Sequence, residues 1–137
     1  MLFTYSEAFD RNIGWVTADE QQVLRGKRIA IAGMGGVGGA HLLTLTRLGI
    51  GGFHLADFDS FEVHNFNRQV GANLNSVGRP KVDVMAEMAM AINPELEIRR
   101  FPEGVTPANL DSFLDGVDLY IDGLDFFELR QDRHGAR

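Results

Sequence analysis

The sequence contains no cysteine, so within its 137 residues disulfide bonds, a thiolate nucleophile and thiolate zinc sites are excluded. Its four histidines are scattered and show no metal-ligand spacing. No apolar run approaches the roughly 20 residues of a membrane-spanning helix. We therefore expect no membrane partner, and a cytoplasmic location is the default expectation.

The sequence is also poor in basic residues. Lys and Arg number 13 against 19 Asp and Glu, which gives a formal net charge of −6. This excess of acid argues against general binding to nucleic acid backbones, although a local basic patch and a tRNA partner stay open. Hydrophobic residues make up 45% of the chain, and its length suits one domain with a real core.

The most informative segment is a β-branched run that leads into a glycine-rich turn and then a helical pattern. Gly33 would form the tight turn, Gly35 would let a phosphate approach closely, and Gly38 would let the helix pack against the strand. Asp57 ends a second apolar run about 20 residues further on, where an acid binds ribose hydroxyls. Because a helix start presents free N–H groups and a positive dipole end, the segment predicts a nucleotide site.

Strand patterns alternate with helical patterns, which predicts an α/β fold with a parallel sheet. The predicted strands are residues 28–32, 52–57, 96–101 and 117–122. The predicted helices are residues 17–26, 37–48, 80–92 and 106–116. We divide the chain into an N-terminal helical segment, residues 1–26, and a nucleotide-binding domain, residues 27–137. The polar segment between residues 58 and 79 has no clean period beyond one short helical turn, and such a stretch is usually functional.

Further motifs follow the glycine turn in a fixed order. They are Asp57 and Asp59; Asn65, Arg68 and Gln69; Gly78 and Lys81; Ile92-Asn93-Pro94; and Asp122 and Asp125. Together with the glycine turn, this series resembles the ThiF/MoeB adenylyltransferase family, which includes the ubiquitin-activating enzymes. The resemblance covers nearly everything from residue 5 to residue 127. It implies a Rossmann-like parallel sheet flanked by helices.

The resemblance also implies roles for individual residues. Asp57 would hold the ATP ribose, with Asp59 beside it in the nucleotide site, and Asp125 would hold Mg²⁺. The glycines Gly33, Gly35, Gly36 and Gly38 would cradle phosphate, and Asn65, Arg68 and Lys81 would contact the triphosphate. Arg11 would reach across a homodimer to the ATP of the neighbouring subunit. Of these residues, four would form the catalytic set: Arg68, Lys81, Asp125 and Arg11.

The implied reaction is Mg-ATP-dependent adenylation of a carboxylate with loss of pyrophosphate. The substrate would be the C-terminus of a ubiquitin-like or sulfur-carrier-like protein, a peptide or a small acid. Attacking group and electrophile are both anionic, so charge neutralisation and alignment dominate the chemistry. Arg offers a planar fork for phosphate oxygens and Lys a compact charge, while Mg²⁺ needs only one or two carboxylates besides phosphates and water.

Family members usually continue beyond this point, so we expect an ATP-binding half whose sheet is truncated after the fourth strand. Three alternatives stay open: an NAD-dependent oxidoreductase, an inactive scaffold that binds partners, and a dehydratase that adenylates a carboxylate on tRNA. Each site residue also has an ordinary explanation. Arg68 and Lys81 could be surface charges, Asn65 could satisfy a turn, and Asp125 could cap a helix. For Trp15 we expect burial in the core, with a partner surface as the alternative.

Overall fold

The computed structural model describes residues 1–124, so Asp125 lies outside the described part. Five α-helices are present there: α1 (Tyr5–Ala8), α2 (Ala18–Arg25), α3 (Gly36–Leu48), α4 (Lys81–Ile92) and α5 (Leu110–Leu114). The strands are β1 (Arg28–Ala32), β2 (Gly52–Ala56), β3 (Glu97–Phe101) and β4 (Leu119–Asp122). Short 3₁₀ turns occur at Asp10–Asn12 and Val63–Asn65. No helix within residues 1–124 is long and apolar enough to span a bilayer.

The four strands form one parallel sheet in the order β3-β2-β1-β4. This confirms the predicted Rossmann-like α/β fold. From β1 the chain moves outward through β2 to β3 and then crosses back to place β4 on the other side of β1. The strand order therefore reverses between β1 and β4, and ligands of open α/β sheets bind in the crevice that such a reversal opens at the carboxyl edge.

The alternation of side chains along the strands divides the core into two layers. On one face, Ile31 and Leu55 pack with Leu42 of α3 and Met85 of α4. On the other face, small residues of β1 and β2 pack against Phe113 of α5 with Phe101. All of these side chains are buried, so both faces of the sheet are covered, as a parallel sheet requires.

The N-terminal segment is fastened to the carboxyl end of α3. The Tyr5 hydroxyl donates to the Gly49 carbonyl at 2.5 Å, and Gln21 Nε2 donates to the Leu48 carbonyl at 2.9 Å. Asn12 Nδ2 donates to the carbonyls of Arg47 and Leu48. Because the last carbonyls of a helix have no partner inside it, these side chains satisfy them and fix the position of the segment.

The predicted start of α2 is confirmed in detail. The Thr17 hydroxyl accepts from the Glu20 N–H at 3.1 Å, and the Glu20 carboxylate accepts from the Thr17 N–H at 2.8 Å. This reciprocal pair is a capping box.

The structure differs from the sequence-based expectations at three places. The helix predicted from Thr106 begins only at Leu110, because Thr106 and Asn109 exchange side chain–backbone hydrogen bonds that close a turn. The short helix α1 was not predicted. Burial of Trp15 was wrong, since the side chain is 92% exposed. It stands on a tight loop in which Gly14 N–H donates to the Val16 carbonyl at 3.0 Å.

Candidate nucleotide site

A cavity of about 510 Å³ opens at the carboxyl edge of the sheet. This size lies within the range of about 300–1,000 Å³ typical of small-molecule sites. Its walls come from the ends of β1 and β2, the starts of α3 and α4, and the loops after β2, β3 and β4. The lining residues include Gly33, Gly35, Gly36, Asp57, Phe58, Asp59, Arg68, Gln69, Lys81, Val105 and Gly123.

The glycine turn after β1 is packed too tightly for side chains. Gly33 has φ +92°, and a Cβ placed there would lie 2.7 Å from the Gly123 carbonyl oxygen. A Cβ at Gly38 would lie 1.6 Å from the Gly33 carbonyl oxygen. Gly38 is not among the cavity-lining residues, so it lets α3 rest on the turn rather than forming the wall. The loops after β1 and β4 therefore meet backbone to backbone at the strand-order reversal.

The start of α3 forms one wall of the cavity, through Gly35, Gly36 and Val37. Gly35 is the N-cap of this 13-residue helix and has no side chain to cap it. The first N–H groups of a helix lack intrahelical acceptors and carry the positive end of its dipole. This wall is therefore suited to bind an anion.

Asp57 lies at the floor of the cavity, where β2 ends. One carboxylate oxygen accepts from the Met34 N–H at 2.6 Å and the other accepts from the Asp59 N–H at 2.7 Å. The carboxylate thus fixes the glycine turn to the loop after β2. A carboxylate has about four acceptor sites, so two bonds leave capacity for ligand hydroxyls.

Lys81 is the most unusual cation of the site, because it is only 7% exposed. It begins α4, its backbone N–H donates to the Asp59 carbonyl at 2.9 Å, and its Nζ lies 5.6 Å from the centroid of the Phe61 ring. Within residues 1–124 its ammonium has no carboxylate partner. The stem of the side chain is therefore packed in the fold, and the ammonium can neutralise an anion bound in the cavity.

Arg68 lines the same cavity from the segment that follows β2. It is exposed, and its Nη1 donates to the His64 carbonyl and to Asn67 Oδ1, each at 3.1 Å. It forms no ion pair with any residue of the described part. These two bonds hold the guanidinium by one nitrogen, which leaves most of its donors for another partner.

Gln69 lines the cavity next to Arg68, although its motif alone assigned it no role. It is 7% exposed, and its amide packs so closely on Gly35 that a Cβ there would lie 3.2 Å from Nε2. Its Oε1 is buried and finds no hydrogen-bond partner among residues 1–124. Only the fold reveals this contact, because it joins the segment after β2 to the glycine turn.

Besides Gly38, two predicted site residues of the described part do not line the cavity. Asn65 is 3% exposed, and its Oδ1 accepts from the Glu62 N–H at 2.8 Å, so its side chain shapes the loop that carries Arg68. Arg11 is exposed on the N-terminal segment and does not line the cavity. The predicted role of Asp125 falls outside the described residues.

Apolar side chains also line the cavity, and the sequence motifs did not indicate them. Phe58 is 68% exposed and Val105 39% exposed. Both line the cavity, and a Cβ at Gly104 would lie 3.0 Å from the Phe58 ring. The predicted topology was enough to bring the loop of Val105 to the site, because that loop follows β3 and must reach the same carboxyl edge as the loops after β1 and β2.

The side-chain charges of the described cavity cancel. Lys81 and Arg68 supply two positive charges, and Asp57 and Asp59 supply two negative ones. No group of three or more potential metal ligands occurs among residues 1–124. Any polyanion bound here must therefore bring, or find elsewhere, further positive charge.

A parallel sheet of this order, with a glycine turn, a helix start and an acid after the second strand, defines a Rossmann-like nucleotide-binding fold. The chain belongs to the ThiF family, whose family model matches residues 9–133. This confirms the family expected from the motifs.

Curated relatives agree with this assignment. The tRNA threonylcarbamoyladenosine dehydratase of Bacillus subtilis is 36% identical over 118 residues, which are 85% of this chain and 46% of that protein. The probable adenylyltransferase/sulfurtransferase MoeZ of Mycobacterium tuberculosis is 34% identical over 112 residues, 82% of this chain and 29% of that protein. The chain therefore spans less than half the length of either relative.

Solved structures share the fold. The crystal structure of the Escherichia coli tRNA N6-threonylcarbamoyladenosine dehydratase TcdA in complex with ATP superposes with a TM-score of 0.84 at 32% identity. The match covers 91% of this chain and 53% of that one.

Proposed function

We propose that this chain binds Mg-ATP in the cavity and supplies the nucleotide site for adenylation of a carboxylate. The observation that carries the proposal is that the largely buried Lys81, which forms no ion pair within residues 1–124, lines one cavity with Arg68 and the start of α3. Lys81, Arg68 and the helix start are three sources of positive potential. Around a cavity whose side-chain charges cancel, they suit a ligand with several linked phosphates better than a ligand with one charged group.

The chemistry of the lining residues favours one orientation of the nucleotide. The triphosphate would lie along Gly35 and Gly36, where backbone N–H groups are free, with Lys81 and Arg68 on its other side. The ribose hydroxyls would donate to Asp57, and the base would lie on the apolar wall of Phe58 and Val105. TcdA, which has this fold, was solved with ATP bound, and this supports the choice of ligand.

The reaction follows from this placement. A carboxylate oxygen of the substrate attacks the α-phosphorus, and the bond from that phosphorus to the bridging oxygen of the β-phosphate breaks. The products are an acyl-adenylate and pyrophosphate. Lys81 and Arg68 neutralise the charge that builds on the phosphoryl oxygens, and the helix start fixes their position. No side-chain nucleophile is needed.

The residues present suit a magnesium ion carried by the nucleotide. Mg²⁺ in such sites is held by one or two carboxylates together with phosphates and water, and this does not require a cluster of protein ligands. Asp125, three residues beyond the end of β4 at Asp122, is the carboxylate that we propose to hold it. When bound, the ion offsets part of the triphosphate charge.

Arg11 would act only in the cavity of a second copy. Its neighbour Asn12 is bonded to the last carbonyls of α3, while the cavity lies at the first residues of that helix. A helix of 13 residues is about 20 Å long, which is too far for an arginine side chain to span. We therefore propose a homodimer in which Arg11 adds positive charge to the partner's cavity.

The substrate is proposed by class. The relatives include an adenylyltransferase/sulfurtransferase, which favours a sulfur-carrier-like protein, a peptide or a small acid. A carboxylate on tRNA is a second candidate, because the dehydratases among the relatives carry tRNA in their names. The net charge of −6 argues against tRNA for this part of the chain. Retention on immobilised tRNA at physiological salt separates the two.

Separate titrations with Mg-ATP and NAD test the nucleotide. We expect Mg-ATP to bind and NAD to bind weakly or not at all, because NAD has no triphosphate for the two cations. NAD binding without Mg-ATP binding would replace the proposal by an oxidoreductase. ATP–pyrophosphate exchange, with a carboxylate of the proposed class supplied so that the acyl-adenylate can form, then tests the chemistry. Exchange that is lost in Arg68→Ala supports it, whereas a folded chain that binds Mg-ATP without any exchange is a scaffold in isolation.

A further inference from the structure

One polar side chain of the cavity has no task in the proposed function. Gln69 is 7% exposed and is the only uncharged polar side chain among the cavity-lining residues of the described part. Its Oε1 is buried without a hydrogen-bond partner, and its Nε2 forms no hydrogen bond within residues 1–124 either. An amide buried in this way lowers stability, and folded chains retain such groups chiefly at functional sites.

Packing holds the Gln69 amide in place, although no hydrogen bond does. A Cβ at Gly35 would lie 3.2 Å from its Nε2 and 3.6 Å from its Oε1, so the amide lies against this glycine. The backbone is fixed as well, because the Gln69 N–H donates to the Asn65 carbonyl at 2.9 Å. The preceding carbonyl, that of Arg68, lies against Gly36, where a Cβ would be 3.5 Å away. The Gln69 side chain and the start of α3 therefore form one preformed surface.

Hydrogen-bond donors meet at this surface. The N–H groups of Gly36 and Val37, in the first turn of α3, have no acceptor within residues 1–124. Gln69 Nε2 adds two further donor hydrogens on the side of Gly35. Donors that lie together without an acceptor share one kind of complementary ligand, an oxyanion, because its oxygen atoms accept from several donors at once. The surface therefore matches a phosphate group.

Gln69 differs from the two cations of the cavity in what it contributes. Lys81 and Arg68 supply charge, and the Arg68 side chain is exposed, so it loses conformational freedom when a ligand binds. The Gln69 amide carries no charge and is already packed, so it loses little freedom when a phosphate binds. A fixed neutral donor therefore sets the position of a phosphate rather than its charge balance.

We propose that Gln69 is a further phosphate-binding residue, whose Nε2 donates to an oxygen of the phosphate group that lies at the start of α3. The inference rests on the proposed function for the nucleotide, whereas the contact itself needs only a polyphosphate. The contact holds that phosphate against Gly35 and Gly36, while Lys81 and Arg68 neutralise the phosphate chain. Removing the amide should therefore weaken the binding of phosphate and leave the binding of the nucleoside unchanged.

Two variants of the 137-residue chain test the contact. Gln69→Met keeps a side chain of similar length without the amide. It should lower the affinities for Mg-ATP and for magnesium tripolyphosphate about tenfold, the effect of one hydrogen bond to a charged group. Gln69→Glu replaces Nε2 by an oxygen that repels phosphate, and it should lower both affinities about tenfold further. The affinity for adenosine, measured by NMR titration because it is weak, should stay unchanged in both variants.

Gln21→Met is the matched control. Gln21 is also a buried amide whose Oε1 has no hydrogen-bond partner in the described part, but its Nε2 donates to the Tyr5 hydroxyl and to the Leu48 carbonyl, each at 2.9 Å. It does not line the cavity. Gln21→Met should therefore lower the urea midpoint and leave the affinities unchanged, whereas Gln69→Met should leave the midpoint level or raise it. The midpoints also show that each variant is folded.

Three results would each overturn the contact. They are a Gln69→Met chain that binds both phosphate ligands as tightly as the native chain, an equal loss for adenosine and for the phosphate ligands, and a Gln69→Glu chain that binds them as tightly as Gln69→Met. The ligands also separate the two proposals. Tripolyphosphate binding that depends on Gln69, without Mg-ATP binding, refutes only the proposed function. Mg-ATP binding that neither variant affects refutes only the contact, and a native chain that binds neither ligand refutes both.

Discussion

The α-carbon of Gly38 faces the carbonyl oxygen of Gly33, at a distance where a Cβ would lie only 1.6 Å from that oxygen. The first turn of α3 therefore rests directly on the glycine turn, with backbone on both sides of the contact. Neither part can move without opening the crevice between β1 and β4. This contact fixes the anion-binding helix start relative to the floor of the cavity.

Gly38→Ala should lower the free energy of unfolding by about 1–3 kcal/mol, because the new methyl group meets rigid backbone. Urea unfolding measures the change. Gly26→Ala is the control, because its φ is −87° and its nearest neighbour would be 3.6 Å away. That variant should stay within about 0.5 kcal/mol of the native value. Equal effects of the two substitutions would refute the packing account.

Lys81→Met should reduce the affinity for Mg-ATP about 10- to 100-fold, the effect of losing one charged hydrogen bond to phosphate. The free energy of unfolding should stay level or rise, because Lys81 is only 7% exposed and forms no ion pair within residues 1–124 that the variant would lose. Isothermal titration and urea unfolding give the two values. Lys27→Met, which removes an exposed surface charge 4.0 Å from Asp118, should change neither.

Asp57→Asn should lower the free energy of unfolding by about 1–3 kcal/mol as well as weaken nucleotide binding. An amide has one acceptor oxygen where the carboxylate has two, so it cannot accept from both the Met34 and the Asp59 N–H groups. Asp111→Asn, an exposed acid on α5, is the control. An Asp57→Asn protein as stable as the control variant would show that these two bonds do not hold the turn.

His54 should make the fold sensitive to acid. The side chain is 1% exposed on β2, and its Nδ1 lies 2.7 Å from the Phe113 carbonyl. Burial lowers the pKa of His54 below its ordinary value of 6.5, Arg99 and Arg28 act in the same direction, and the bond to Phe113 opposes them. The unfolded chain therefore takes up this proton first as the pH falls.

The stability contributed by neutral His54 should be fully present above pH 6.5 and should be lost as the pH falls below that value toward the lowered pKa. Unfolding midpoints between about pH 7.5 and 5 measure this slope, above most carboxyl pKa values. His54→Gln should flatten the slope even if it lowers stability throughout. A slope that is unchanged in this variant would assign the acid sensitivity to other groups.

The sheet and the glycine turn could be predicted from the sequence, because both depend on local residue patterns. β1 is a short β-branched run, Gly33 begins the turn, and α3 ends at Gly49 in the left-handed conformation. These features need no knowledge of distant residues. The local pattern at Thr106 predicted the wrong helix start. Thr106 and Asn109 exchange side chain–backbone hydrogen bonds that compete with the helix, so the helix begins later in the chain.

The rest of the site depends on long-range packing. Gln69 is adjacent to Gly35 only because the segment after β2 folds back over the glycine turn, and Phe58 is adjacent to Gly104 only because the loops after β2 and β3 share one edge. Whether a side chain is exposed also depends on residues that are distant in the sequence. A tryptophan in a short loop gives no local sign of whether the fold covers it, and here Trp15 remains exposed.

A crystal structure of the chain with Mg²⁺ and a non-hydrolysable ATP analogue tests the central claim most directly. The account predicts phosphate oxygens within hydrogen-bond distance of the Gly36 N–H, Lys81 Nζ and the Arg68 guanidinium, with the ribose on Asp57. A triphosphate bound away from the start of α3, with no phosphate oxygen near Lys81 Nζ, would contradict it.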